Sequence, residues 1–196
     1  MTAELLSISE YLLSEEKSQT KNEYVAGRLI AMAGNTRAHG EIQMNLIALL
    51  IGFLKDTPCK VLSPETKVRP EKFRSYRYPD VMVACDPSFA DEKLATVLNP
   101  KVIFEVTSDS TQHNDHYNKL TEYASIDSMR QYVIVSQQSA GALIYQRQDV
   151  EHPWMLKFAA GLEESIDIPS LKLSIPMRDV YAGVELPPVE LPATSA

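Results

Sequence analysis

Two apolar runs, each carrying an acid, constrain this chain more than anything else in it. Ile103-Phe104-Glu105-Val106-Thr107-Ser108 reads as a buried strand. It is preceded by Asn99-Pro100 and followed by the polar stretch Thr107 to Thr111. Glu105 lies in its middle. A carboxylate inside an interior strand is costly unless it is paired, hydrogen-bonded or bound to a cation. The run Tyr78-Pro79-Asp80-Val81-Met82-Val83-Ala84 repeats the anomaly, with an acid at its start. Any fold of this chain has to set Asp80 and Glu105 on neighbouring interior strands and offset their charge.

The rest of the chain supplies elements to surround those strands. Ser7 to Glu16 reads as a short helix, with Ser7 and Glu10 spaced as a capping box. Asn22 to Met32 reads as a β-hairpin turning at Ala26-Gly27, closed by Ala33-Gly34-Asn35. Thr36 to Lys55 is the longest helical segment, with Ile42, Leu46, Leu49, Leu50 and Phe53 at helical spacing. Short strands are expected at Lys60 to Leu62 and Thr66 to Arg69. A polar loop with Arg69, Lys72, Arg74 and Arg77 follows, the most basic stretch of the chain. Asp86 to Leu98 reads as a loop. Gln112 to Ile126 reads as a helix with Leu120, Tyr123 and Ala124 as its apolar stripe. On it Asp115 and Lys119 share a face, and Lys119 borders the stripe. Strands are expected again at Gln131 to Ser136, Ala142 to Gln146 and Trp154 to Phe158, then short extended pieces over Glu163 to Pro176 and a last helical turn over Arg178 to Val184.

A chain of 196 residues with 44% hydrophobic content suits one soluble domain over 1–186, ending in a proline-rich tail over 187–196. A net charge of -7 argues against a surface coated in phosphate contacts, and leaves room for a local basic patch. Cys59 and Cys85 have neither metal-site nor redox-motif spacing, so reduced, buried cysteines are expected. The longest apolar stretch, Leu46 to Leu54, is too short to span a bilayer, and no basic region precedes an apolar leader. A cytoplasmic protein without membrane contact is expected.

Asp80, Glu105 and Lys119 form the main chemical constellation. Two carboxylates offer hard oxygen ligands that suit Mg²⁺ or Mn²⁺ rather than zinc. Such an ion would offset their repulsion and activate water against a phosphodiester. A nearby ammonium would orient that water or stabilise the phosphorane. The competing reading, of equal weight on spacing alone, is a buried ion pair between Lys119 and one of the acids. Glu23 is either a third carboxylate or a hairpin surface residue. His39 is either a contact to phosphate or metal, or a helix-capping residue. His113 and His116 lack the spacing of a metal pair and are expected to face solvent. Ser108, Ser110 and Thr111 suggest a capping turn. A nucleophile elbow and a phosphate-binding P-loop are both missing from the sequence.

A set of segments in fixed order resembles the Uma-two family of the PD-(D/E)XK nuclease-like superfamily, grouped with restriction endonucleases. The segments are Asn22-Glu23-Tyr24-Val25-Ala26-Gly27, Met32-Ala33-Gly34, His39, Tyr78-Pro79-Asp80-Val81, Glu105-Val106-Thr107-Ser108 with Ser110-Thr111, Asp115 with Lys119, Tyr123, and Gln131-Tyr132-Val133. They extend over roughly residues 7 to 184. The resemblance implies an α/β fold with a central mixed β-sheet flanked by helices. It implies a metal-dependent endonuclease acting on DNA, with Asp80, Glu105 and the Val106 carbonyl as ligands of Mg²⁺ or Mn²⁺. Lys119, Glu23 and His39 would complete the catalytic set. Cutting a duplex commonly uses paired active sites, so a homodimer is a further expectation. Thr107 departs from the family pattern, standing where the superfamily motif has lysine; Lys119 is then the replacement. The alternative is a catalytically silent module of the same fold that binds nucleic acid or a protein partner.

Overall fold

The computed structural model describes residues 5–32, 34–91, 95–107 and 113–188. Ala33, Ser108, Ser110, Thr111 and the Asp115 side chain lie outside the described residues, as does the expected tail from residue 189 onward. In chain order the elements begin with α1 (Ile8–Glu15), β1 (Asn22–Val25), β2 (Arg28–Ala31), α2 (Arg37–Leu54), β3 (Cys59–Leu62), β4 (Lys67–Val68) and β5 (Ser75–Tyr76). They continue with β6 (Val81–Cys85), β7 (Phe89–Asp91), β8 (Thr96–Val97), β9 (Val102–Thr107), α3 (His113–Ala124), β10 (Gln131–Ser136), β11 (Gly141–Gln146) and β12 (Met155–Ala160). The last are β13 (Ser165–Ile168), β14 (Leu173–Pro176) and α4 (Met177–Val180).

Local chemistry sets the ends of these elements. The Ser7 hydroxyl accepts the Glu10 N–H while the Glu10 carboxylate accepts the Ser7 N–H, closing the capping box on α1. Ala26 and Gly27 both take positive φ, 48° and 94°, the geometry of a two-residue turn that matches the strand twist. A Cβ at Gly27 would come within 2.9 Å of Leu5 Cβ, so space as well as φ requires glycine there. Thr36 caps α2 by accepting the His39 N–H.

Among the described residues the central sheet has six strands in the order β12-β11-β10-β9-β6-β3. Only β9 and β10 run parallel, joined through α3; the other neighbours are antiparallel. Alternation along β9 divides its side chains between two cores. Val102, Phe104 and Val106 pack with Ile42, Leu46, Leu50 and Leu54 of α2, and Ile103 packs with Tyr123 of α3. Both faces being covered, all six residues of β9 are buried, which is why it reads as a continuous apolar run. This is the α/β fold with a central mixed sheet flanked by helices that the sequence implied. Among the described residues no helix is long and apolar enough to cross a membrane.

Four expectations need correction. Cys59 and Cys85 are not reduced: they form a disulfide, because the antiparallel pairing of β3 with β6 sets them directly opposite each other. Leu54, not Phe53, closes the buried stripe of α2; Phe53 is 47% exposed. The 86–98 segment, expected as a loop, carries β7 and β8, and β8 also pairs with β4. Arg77 does not belong to a solvated basic loop. It is fully buried beneath α3 and the β1–β2 hairpin.

Candidate functional site

The ladder between β6 and β9 stops at Val81 opposite Phe104, and the site begins where it stops. Asp80 takes over the next backbone donor: its Oδ2 accepts the Val106 N–H at 2.7 Å. Its Oδ1 lies 2.9 Å from His39 Nε2, on the buried face of α2. Gln43, one turn further along α2, donates to the Asp80 carbonyl oxygen at 2.9 Å. Asp80 is thus fixed from the sheet on one side and from α2 on the other.

Glu105 projects from the other face of β9, toward α3. Its Oε1 lies 3.1 Å from Lys119 Nζ and accepts the Tyr123 hydroxyl at 3.1 Å. Lys119, Glu122 and Tyr123 stand at i, i+3 and i+4, so one face of α3 sends an ammonium, a carboxylate and a phenol to the sheet. Lys119 Nζ also lies 3.7 Å from Glu23 Oε1. Glu23, on β1, accepts the Tyr78 N–H at 3.2 Å and Arg77 Nη1 at 2.7 Å. The Arg77 guanidinium forks onto Glu122 through Nε at 2.9 Å and Nη2 at 2.8 Å, and Ser75 Oγ donates to the same carboxylate.

Asp80, Glu105, Val106, Lys119, Glu23 and His39 all line one cavity of about 350 Å³, walled on its outer side by Ile30, Met32 and Thr36. The six residues expected to bind metal or take part in catalysis are therefore brought to this one place. Glu23 is a buried residue, not a surface one. His116 is half-buried, with Nε2 3.0 Å from Thr107 Oγ1, and so does not simply face solvent. The His113 side chain lies outside the described residues. Sequence reasoning missed Arg77, Glu122 and Gln43. The signal for Glu122 was present in its i+3 spacing from Lys119; Arg77 and Gln43 carried none.

The electrostatics follow from burial. Glu105 is pushed up to about 7, first by burial and further by Asp80 and Glu23, with Lys119 opposing the rise. Burial first, then Glu105 and Glu23, hold the Tyr123 hydroxyl well above the usual tyrosine range. Burial works against the Arg77 charge, but Glu122 and Glu23 outweigh it and raise its pKa. Among the described residues, the fixed cations paired with Asp80, Glu105, Glu23 and Glu122 in this network are Arg77 and Lys119. Carboxylates thus outnumber fixed cations in the network, a balance that suits a divalent cation. Among the described residues no three His, Cys, Asp or Glu side chains form a ready-made metal cage. Mg²⁺ does not need one: it is commonly held by one or two carboxylates and keeps several waters. The Val106 carbonyl points to the same side of β9 as the N–H bound by Asp80, so it lies toward Asp80, and Val106 lines the cavity with both acids.

The raised Glu105 pKa has a measurable consequence in the metal-free protein. In the unfolded chain Glu105 returns to its ordinary 4.5, while in the fold it holds its proton to about 7. Between these values the folded state binds more protons, so stability falls as pH rises through that window. Urea unfolding at pH 5 and pH 8 should show this loss in the wild type, and Glu105→Gln should flatten it. A slope unchanged by Glu105→Gln would contradict the assignment.

Residues 8–178 match the profile of the Uma2 family, described as "Putative restriction endonuclease". The chain belongs to the Uma2 family. It is 30% identical over 180 residues to an uncharacterized protein of Synechocystis sp., covering 91% of this chain and 93% of that one. A second uncharacterized Synechocystis protein is 30% identical over 173 residues, covering 88% and 97%. A crystal structure described as a putative nuclease from Anabaena variabilis superimposes with a TM-score of 0.73 at 15% identity, covering 92% of this chain and 99% of that chain. That likeness shows a shared fold. For this Uma2 member, family and architecture thus agree on a nuclease-like fold, with Asp80 just before β6 and Glu105 within β9.

Proposed function

We propose that this chain is a metal-dependent endonuclease that hydrolyses phosphodiester bonds in DNA. The observation that carries the reading is the convergence of Asp80, Glu105 and Lys119 on one pocket where carboxylates outnumber fixed cations. Asp80 and Glu105 would hold Mg²⁺ or Mn²⁺, with the Val106 carbonyl as a further oxygen. When bound, the ion supplies Lewis-acid chemistry, lowering the pKa of water and neutralising charge on the phosphate.

The chain's own residues do the rest. Lys119 sets a point charge 3.1 Å from Glu105, where it can hold the attacking water or the charge that builds on the phosphate oxygens. Glu23, itself anchored by Arg77, keeps that ammonium in place. His39 fixes the rotation of the Asp80 carboxylate through Oδ1 and lines the pocket wall. Water attacks phosphorus, the bond to the leaving sugar oxygen breaks, and a proton is returned to that oxygen.

Calorimetric titration with Mg²⁺ and with Mn²⁺, beside cleavage of supercoiled and linear DNA, tests the proposal. The wild type should bind the ion and cut. The Asp80→Ala/Glu105→Ala double variant should lose both, with its fold intact by circular dichroism. Ion binding that survives the double substitution would refute the assigned ligands. No binding and no cleavage by the wild type would favour a silent module in which Lys119 and Glu105 are a structural ion pair.

A further inference from the structure

Helix α2 has two contrasting faces. One buries His39, Ile42, Leu46, Leu50 and Leu54 against the sheet and the site. The opposite face is open, yet from Ile42 to Leu54 the helix carries no charged residue at all. On that open face Met44 is 61% and Ile51 56% exposed, Ala48 lies between them, and nothing stands within 4 Å of a Cβ built at Gly40 or Gly52. A helix apolar on both sides is ordinarily buried on both sides. Charges return at the two ends of the stripe: Arg37 and Glu41, joined by an i,i+4 ion pair at 2.7 Å, stand before it, and Lys55 stands after it.

We propose that this face of α2 pairs two copies of the chain, helix against helix and antiparallel, about a two-fold axis at Ala48. The sequence is self-complementary in that register. Glu41, seven residues before Ala48, meets the partner's Lys55, seven residues after it. Met44, four before, meets Gly52, four after, so a large side chain faces a small one at both ends of the contact. A parallel pairing would set Glu41 beside Glu41 and Lys55 beside Lys55, which disfavours it on charge. The groove between α2 and the Ala182-Gly183 turn, lined by Gly40, Met44 and Asn45, then receives the partner's Ile51. Small residues at Gly40, Ala48 and Gly52 let the backbones approach closely. The site lies on the far face of α2 and stays open.

Sedimentation equilibrium of the full chain tests this, with the edge strand β12 as the rival surface because Met155, Leu156 and Phe158 are also exposed. The wild type should be a dimer. Ala48→Glu and Ile51→Glu should each yield monomer with an unchanged circular dichroism spectrum, and Phe158→Glu should leave the dimer intact. In an Arg37→Ala background, which removes the partner that Glu41 has on its own helix, Glu41→Lys and Lys55→Glu should each weaken pairing about tenfold, and the two combined should restore it, because the reversed charges again meet across the axis. A monomeric wild type, a dimer lost only in Phe158→Glu, or a double charge reversal no tighter than either single one would overturn the proposal.

Discussion

Arg77→Met should destabilise the protein by about 3–5 kcal/mol, the scale for removing one partner of a buried ion pair. Arg77 is the largest fully buried side chain, and its guanidinium donates to two carboxylates, Glu23 at 2.7 Å and Glu122 at 2.9 and 2.8 Å. Methionine fills much of the volume and supplies none of the donors. Glu23 and Glu122 would then be buried beside each other without their shared cation, and each would take up a proton more readily. The deficit should therefore be larger at pH 8 than at pH 5, whereas simple loss of packing would give the same deficit at both. Adding Glu23→Gln and Glu122→Gln should recover most of the loss, since the amides keep an acceptor for Tyr78 N–H and Ser75 Oγ and bring no charge. Urea unfolding of the single and triple variants measures all three points. A loss under about 1 kcal/mol for Arg77→Met, on the scale of an exposed pair, would show that the network is solvated.

The same network marks the limit of what the sequence discloses. An acid within an apolar run is visible in one dimension, because its burial cost follows from its neighbours in the chain. Asp80 and Glu105 stood out for that reason. The capping box at Ser7 and Glu10, the Ala26-Gly27 turn and the α2 stripe are likewise local, and they were legible. Partner choice is not local. Arg77 sits beside Arg69, Lys72 and Arg74 in the chain and reads as one of them; only the packing of α3 over β5 draws it inward to Glu122. Cys59 and Cys85 are 26 residues apart, and the β3–β6 register alone makes them neighbours. Glu23 could be read as exposed or buried until the hairpin was seen packed against Arg77 and Tyr78. The replacement of lysine by Thr107 could be seen at once, whereas the approach of Lys119 needed the whole β9–α3 crossover.

That approach makes Lys119 the sharpest test of the chemistry. Lys119→Ala should cut DNA cleavage by about a hundredfold, the scale for removing one donor that stabilises a transition state. The ammonium lies 3.1 Å from Glu105 and 3.7 Å from Glu23, on the rigid face of a helix, in the pocket shared with Asp80. Thr107, in the usual lysine position, has a hydroxyl that lies 3.0 Å from His116 and brings no charge to the pocket. Removing Lys119 takes away the one influence that pulls the Glu105 pKa down through its charge, so without metal Glu105 should titrate still higher than about 7. Ion binding should survive, because a cation that competes for Glu105 has gone; the loss should therefore fall on the rate and not on metal affinity. Lys119→Arg should not recover the wild-type rate, since a planar fork cannot replace a compact ammonium between two carboxylates. Calorimetry and single-turnover cleavage on the same preparations separate these effects. Wild-type cleavage by Lys119→Ala would leave Lys119 as the partner of a structural ion pair and move the search for the catalytic cation elsewhere in the pocket.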